Sequence, residues 1–243
     1  MMKYPFINIL AFIFIVTGCH QGTIHNGEDL IKAMHRKNSK NWYTSLCFSQ
    51  EVLKYHGDSI YQKETWHEAY HAPGKLVIKF NTWESGDGML FSRDTFYSFS
   101  VGTAQIKMAR LHDLVILGLD VNNLEPEITI GRARQMGYDL DKLTLSHCFG
   151  KPAYVTGDTN SLCFWVDAAS LLFLKMRRVK GEKSREVEFS QYDTIDGYPV
   201  ATEIRFYTPA GQLEMVERYF NIKVNCQLEE EIFMPENFTK AKM

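Results

Sequence analysis

The sequence has no block of basic residues. Its 243 residues include 27 lysines and arginines against 29 aspartates and glutamates, which gives a net charge of −2. Proteins that bind nucleic acid usually concentrate positive charge on one face or segment, because contacts to phosphates supply much of the affinity. The charge distribution therefore predicts that the chain does not bind nucleic acid.

The sequence also lacks the common signatures of nucleophilic catalysis. It contains no G-x-S-x-G motif, and Cys148 and Cys163 lie in apolar, strand-like runs. A cysteine in such a run is more often a small core residue than a nucleophile. Cys47 and Cys226 lie in similar runs, so a disulfide is allowed in an oxidising compartment but is not required. We predict no catalytic residues and no cofactor.

The apolar stretch near the N-terminus is too short to span a bilayer as a stable helix. It extends from Phe6 to Val16, is broken only by Asn8, and follows the basic Lys3. These features are typical of an export signal. The segment ends in Val16-Thr17-Gly18-Cys19, which resembles the lipobox of bacterial lipoproteins, where the cysteine is lipidated and becomes the new N-terminus.

This resemblance implies a signal peptide over residues 1–18, a lipidated Cys19 at the start of a short tether (19–27), and a single domain over 28–243. Acyl chains on Cys19 would anchor the protein to a membrane. Residue 20 is His, whereas the related sorting rule retains lipoproteins in the inner membrane through an Asp at this position. We therefore expect a protein held in the outer membrane and facing the periplasm.

One motif indicates a different class of protein. His67-Glu68-Ala69-Tyr70-His71 matches the HExxH signature of zinc peptidases, in which two histidines bind Zn²⁺ and the glutamate acts as the base. That chemistry requires a helix, and Pro73-Gly74 follows too closely for a helix to continue far. Val77 stands where the longer form of the motif has its third histidine. A zinc metallopeptidase with ligands His67 and His71 and base Glu68 remains the alternative hypothesis.

The remaining pattern is mainly that of an antiparallel sheet. Residues 28–37 have apolar side chains at helical spacing, and residues 110–120 and 125–136 predict two further helices in the middle of the chain. The predicted strands are rich in aromatic and β-branched residues and are separated by turn sequences. They cover residues 42–55, 59–70, 75–82, 88–91, 95–99, 161–166, 171–179, 185–192, 199–208 and 212–224.

Some of these strands have apolar residues on both faces. Val200, Ile204 and Phe206 share one face of their strand and leave the other face polar, but both faces of residues 171–176 are apolar. Ten strands in one sheet tend to curl, and helices can then cover the concave face. A strand that is apolar on both faces is either packed in a core between the sheet and the helices or borders an apolar cavity. The aromatic content of 13% and the ten methionines favour the cavity.

The C-terminal half supports this architecture by resemblance. The runs FWVD, LLFLKMRR, REVEFSQYDTIDGYPVATEIRFY and GQLEMVERYFNIKVN, together with the lipobox and the apolar helical insert, resemble the LolA-like superfamily of lipoprotein-sorting proteins. The resemblance implies an α+β, mainly β fold. A curved antiparallel sheet forms an incomplete barrel, and helical inserts cover its apolar concave face.

In that superfamily the cavity shelters acyl chains, so the resemblance implies a carrier or receptor for lipid or lipoprotein in outer-membrane trafficking. The expected partners are lipid or lipoprotein acyl chains and the membrane itself, and no protein partner is predicted. A non-catalytic structural subunit of an envelope complex is a further alternative. The candidate cavity residues are the apolar side chains of residues 110–120 and of nearby strands: Ile78, Phe80, Phe91, Tyr97, Phe99, Leu111, Leu114, Leu117, Leu172, Leu174 and Met176.

Overall fold

The computed structural model describes residues 23–179, 184–208 and 210–240. The predicted signal peptide, Cys19 and the first part of the tether lie outside these residues. Among the residues described, no helix combines the length and the apolar character needed to cross a membrane.

The first helix, α1, covers Gly27–Asn38. It begins after Asn26, whose side chain accepts a hydrogen bond from the backbone N–H of Asp29 at 2.9 Å. This interaction satisfies one of the N–H groups that the first turn of a helix leaves unpaired. The apolar face of α1 buries Leu30, Ile31 and Met34, in agreement with the helical spacing of these residues.

Thirteen strands follow within the described residues and form one antiparallel sheet. They are β1 (Ser45–His56), β2 (Ser59–His71), β3 (Lys75–Phe80), β4 (Gly88–Ser92), β5 (Thr95–Ser100), β6 (Thr103–Ala109), β7 (Leu143–Cys148), β8 (Lys151–Asp158), β9 (Leu162–Asp167), β10 (Phe173–Arg178), β11 (Arg185–Ile195), β12 (Tyr198–Tyr207) and β13 (Leu213–Val224). Nearly all neighbours in the sheet are also neighbours in sequence, except that β1 pairs with β13. β6 and β7 are therefore its two edges, and the predicted incomplete barrel is confirmed.

The segment between β6 and β7 provides the cover of the concave face. It contains a π-helical turn (Val115–Leu119), a 3-10 turn (Asp120–Asn122) and the helix α2 (Pro126–Gln135). The prediction of a helix over residues 125–136 is confirmed. The prediction of a helix over residues 110–120 is confirmed in part, because residues 110–112 are not helical and residues 113–122 form helical turns of irregular pitch.

Two layers of apolar side chains stabilise the sheet, one on each face. On the concave face, α1, α2 and Val115–Leu119 pack against β9–β12. On the convex face, the C-terminal residues Ile232, Phe233 and Phe238 cover β1–β5. A disulfide between Cys47 in β1 and Cys226 fixes the start of this C-terminal segment to the sheet.

Candidate functional site

A cavity of about 960 Å³ lies on the concave face of the sheet. We define the lid as residues 111–119, which cover it. The lining is mostly aromatic and aliphatic and comes from β1–β6 and β10–β13, whereas β7, β8 and β9 do not contribute to it. Its volume is at the upper end of the range of roughly 300–1,000 Å³ that small-molecule sites occupy.

Five of the predicted cavity residues line this space. Leu111 and Leu114 belong to the lid, Ile78 and Phe91 to β3 and β4, and Met176 to β10. They come from three separate parts of the chain, which the curvature of the sheet brings to one cavity. The sequence pattern identified these positions because each of them is apolar and belongs to a predicted strand or to the predicted insert.

Three other predicted cavity residues lie on the convex face. Tyr97 and Phe99 pack under the C-terminal segment, and the ring of Phe99 stacks on Phe238 with centroids 3.9 Å apart. Leu174 packs with Cys148 and Trp165 behind β10. These assignments were wrong because the convex face also has an apolar cover.

The last three predicted cavity residues lie on the concave side but outside the cavity. Phe80 packs on the ring of Trp66 at a centroid distance of 4.7 Å. Leu117 is fully buried in the core between the lid, α1 and the sheet. Leu172 precedes β10 and its carbonyl accepts a hydrogen bond from the N–H of Asp167. None of the three lines the cavity.

The sequence analysis missed several lining residues that lie on predicted strands. The most prominent are Phe48, Trp66, Phe189 and Tyr219. Phe48 and Tyr219 stack on each other, with ring centroids 4.1 Å apart. The alternation of apolar and polar residues along β1 and β13 could have identified Phe48 and Tyr219 as cavity residues, since each shares its strand face with other apolar residues.

Two carboxyl side chains, neither of which the sequence analysis placed in the cavity, line the same space. Glu68 in β2 and Glu217 in β13 are 5% and 8% exposed. Burial raises the pKa of Glu217 to about 8, an effect that the nearby Gln50 side chain partly offsets. Burial, and next the charge of Glu217, raise the pKa of Glu68 well above its ordinary value. Both groups therefore tend to hold a proton near neutral pH.

The opening of the cavity carries positive charge. Arg110, Arg178 and Arg185 line it, and Arg110 and Arg185 are solvent-exposed. Next to them, the side chain of His112 packs edge-on against Phe91 with centroids 4.5 Å apart. Burial lowers the pKa of His112 to about 4, and the charge of Arg110 adds to this effect. His112 is therefore neutral near neutral pH.

Polar contacts hold the lid at both ends. At its start, Asp113 accepts hydrogen bonds from the guanidinium of Arg178 and, at 2.9 Å, from the hydroxyl of Tyr138. At its end, the carbonyl of Leu119 accepts a hydrogen bond of 2.9 Å from the indole of Trp42. The lid is thus held over the cavity by hydrogen bonds of side chains, and not by backbone hydrogen bonds to a neighbouring strand.

The structure overturns the zinc-site hypothesis. His67, Glu68 and His71 lie in β2, where the two histidines share a face and are roughly 13 Å apart by strand rise. Nδ1 of His67 lies 2.8 Å from the hydroxyl of Ser49. Glu68 points to the opposite face, into the cavity. Over residues 23–179, 184–208 and 210–240, no three His, Cys, Asp or Glu side chains are placed to hold a metal ion.

The two free cysteines have the character of core residues. Cys148 and Cys163 are buried, and burial raises the pKa of their thiols to about 11 and about 12, respectively. Since the thiolate is the reactive form, neither side chain has the properties of an activated nucleophile.

The architecture can be compared with solved structures. A domain named for outer membrane lipoprotein sorting, from Vibrio parahaemolyticus, superposes over 88% of this chain and 98% of its own with a TM-score of 0.60 and 15% identity. A LolA superfamily protein from Nitrosomonas europaea covers 84% and 97%, with a TM-score of 0.58 and 15% identity. The chain has a LolA-like fold.

A third structure shares this LolA-like architecture. It is a DUF1329 family protein from Desulfovibrio piger, which superposes over 86% of this chain and 95% of its own with a TM-score of 0.57 and 14% identity. No family model and no curated protein matches the sequence. At these identities the comparisons establish the fold alone.

Proposed function

We propose that the protein binds the acyl chains of a lipid or lipoprotein in the cavity beneath the lid, as a carrier or receptor in the cell envelope. The observation that carries this proposal is the cavity of about 960 Å³ with mainly apolar walls. Each methylene group moved from water into such a site contributes about 0.8 kcal/mol. An acyl chain therefore gains substantial free energy there without any specific polar contact.

The comparisons support the same proposal. The related domain from Vibrio parahaemolyticus is named for lipoprotein sorting, and sorting requires that acyl chains be shielded from water. The lipobox at Cys19 would place the cavity close to a membrane surface, where such ligands are found. A binding protein also needs no catalytic group, which agrees with the lack of nucleophile signatures in the sequence and with the strand conformation of the HExxH segment.

Binding can be tested directly on the mature protein carrying Cys19→Ala, which removes the anchor. Native mass spectrometry of the protein purified without added lipid should show a bound species with the mass of a lipid or fatty acid. Displacement of a fluorescent fatty acid gives the affinity. A protein that carries no lipid and binds no fatty acid would contradict the proposal and favour a structural subunit of an envelope complex.

The role of the lid needs its own variants. Leu114 lines the cavity from the lid, so Leu114→Glu should weaken fatty-acid binding by at least tenfold, because a charged side chain would enter the apolar space. Leu145→Glu is the matched control, since Leu145 is 68% exposed on the edge strand β7. Equal loss in both variants would show that the effect is not specific to the cavity.

A further inference from the structure

Positive charge is concentrated where the cavity meets solvent. Arg110 and Arg185 are exposed and line the cavity together with Arg178. Of these three guanidinium groups, only that of Arg178 forms an ion pair within the described residues, and its partner is Asp113. The exposed edge of the cavity thus carries two arginines without a carboxylate partner in the parts of the chain that the structure describes.

The other carboxyl groups of the lining do not neutralise these two arginines. Asp94 forms an ion pair of 3.4 Å with Arg132. Glu68 and Glu217 are buried, and their raised pKa values favour the neutral form. A net positive charge therefore remains at the opening near neutral pH.

The arginines repel one another in this arrangement. Partial burial lowers the pKa of Arg110, and the charges of Arg185 and, more weakly, Arg178 lower it further, while the charge of Asp113 opposes this in part. Like charges held close together destabilise a structure unless an anion lies between or beside them. The opening is therefore arranged to gain free energy when it binds a negative group.

The positive charge is also continuous with the apolar wall. The guanidinium carbon of Arg110 lies 5.4 Å from the ring centroid of Phe96 and 5.9 Å from that of Phe91. Both rings line the cavity. At these distances the guanidinium is within reach of a cation–π interaction with both rings, so its positive charge directly borders the apolar wall.

We propose that the cavity selects amphiphiles with an anionic head group, a phosphate or a carboxylate, which Arg110 and Arg185 bind at the opening while the acyl chain lies along Phe91 and Phe96 toward the interior. This inference rests on the proposed function and specifies its ligand class. Guanidinium groups suit the head group, because they bind phosphate and carboxylate oxygens through paired hydrogen bonds. Arg178 acts as a positioning residue, since its charge is already used in holding the lid through Asp113.

The test uses three probes with the same 16-carbon chain: hexadecyl phosphate, palmitate and hexadecanol. Each is titrated against the mature Cys19→Ala protein below its critical micelle concentration and at low salt. We expect both anions to bind at least roughly tenfold more tightly than the alcohol, as charged hydrogen bonds are stronger than neutral ones. The preference should shrink at high salt, because the opening is exposed to solvent.

The double variant Arg110→Gln, Arg185→Gln should remove this preference, and it should weaken the binding of the two anions far more than that of hexadecanol. Arg177→Gln is the matched control, because Arg177 neighbours Arg178 in β10 but pairs with Glu186 and does not line the cavity. It should retain the preference for anions.

The outcomes separate the two hypotheses. If the three probes bind equally well, the anionic head group is wrong and acyl-chain binding stands. If none of the probes binds, the proposed function itself is wrong. When both anions bind more tightly than the alcohol, the ratio of hexadecyl phosphate to palmitate affinity distinguishes a phospholipid-like from a fatty-acid-like ligand.

Discussion

Glu68 in β2 and Glu217 in β13 face the cavity from the two strands that flank β1. In the sheet, Glu68 lies opposite Phe48 and Glu217 lies opposite Val52, so that Gln50 of β1 occupies the position diagonally between them. Gln50 is fully buried, and its amide makes no well-formed hydrogen bond within the described residues. Glu68, Gln50 and Glu217 thus form a polar patch on the otherwise apolar cavity face of β2, β1 and β13.

This patch predicts a pH dependence of stability. The pKa of Glu217 is raised from 4.5 to about 8 on folding, so the folded state binds the proton more tightly than the unfolded state does. Its contribution to stability is fully present below about pH 4.5 and is lost as the pH rises through about 8.

In wild type, the free energy of unfolding should fall by on the order of a few kcal/mol between the two pH values because of Glu217, and Glu217→Gln should remove much of this fall. Urea unfolding of both proteins at several pH values measures the free energy of unfolding. Glu214→Gln, at an exposed position of the same strand, should behave as the wild type. Parallel stability curves for wild type and Glu217→Gln would contradict the prediction.

A second prediction concerns the close approach of the lid to the sheet at Gly118. A Cβ atom added there would lie 2.8 Å from Cε2 of Phe189, a buried ring of β11. Gly118→Ala should therefore lower the free energy of unfolding by about 1–3 kcal/mol, because either the lid or the ring must move.

Gly131→Ala provides the control for Gly118→Ala. Gly131 lies within α2, and a Cβ atom there would meet nothing within 4 Å. Alanine is the better helix former, so this variant should be neutral or more stable by about 0.5–1 kcal/mol. Denaturant unfolding compares the two, and an unchanged Gly118→Ala protein would show that the contact is easily relieved.

The third prediction concerns the contact between Asp113 and Arg178. Arg178→Gln removes the cation that binds Asp113 and should release the start of the lid while leaving the sheet folded. Amide hydrogen exchange in residues 111–119 should become about tenfold faster, which corresponds to roughly 1.4 kcal/mol of local stability. Lys142→Gln removes an exposed ion pair with Asp139 and should leave exchange in the lid unchanged. Uniformly faster exchange across the sheet would mean that Arg178 stabilises the whole fold instead.

The fourth prediction concerns the residue that follows the lid. The hydroxyl of Tyr70 donates a hydrogen bond of 2.6 Å to Asp120, and both side chains are buried. Burial raises the pKa of Asp120 from 3.8 to about 6, while the Tyr70 hydroxyl opposes that rise. Tyr70→Phe should therefore raise the pKa of Asp120 further and destabilise the protein by about 1–3 kcal/mol.

The pH dependence of this destabilisation tests whether it arises from the carboxylate of Asp120. Because the lost hydrogen bond favours the ionised carboxylate, the difference between wild type and Tyr70→Phe should grow as the pH rises above about 6. Tyr61→Phe, at a position that is 64% exposed, should show no difference at any pH. A pH-independent loss in Tyr70→Phe would show that packing, and not the carboxylate, is responsible.

Much of the fold was predictable from local sequence patterns. Strands with one apolar face, such as residues 199–208, were found because the alternation is direct evidence of a half-buried strand. β6, β7 and β8 were missed. The whole of Thr103–Ala109 and most of Leu143–Cys148 are exposed and so have no buried face to mark them, and β8 has buried residues only over part of its length. The irregular pitch of the lid was not predicted, because apolar residues at helical spacing indicate a helix but do not distinguish α-helical turns from π-helical or 3-10 turns.

The cavity was less predictable, because an apolar residue on a strand does not reveal which face of the sheet it occupies. Phe91 and Phe99 are both apolar strand residues, yet one lines the cavity and the other packs under Phe238. The difference depends on the C-terminal segment, whose packing on the convex face has no local signal. The arginines at the opening were missed for a similar reason, since Arg110 and Arg185 are distant in sequence and become neighbours only when the sheet curves.

The open edges of the sheet also affect how large the cavity can become. β6 and β7 do not pair with each other within the described residues, so the two ends of the sheet can move apart without the loss of any strand-to-strand hydrogen bond. The lid follows β6 directly and is bound to β10 through Asp113 and Arg178. The side-chain contacts of the lid therefore bridge a gap that no backbone ladder of the described residues closes, and a wider cavity would require breaking those contacts but no pairing between strands.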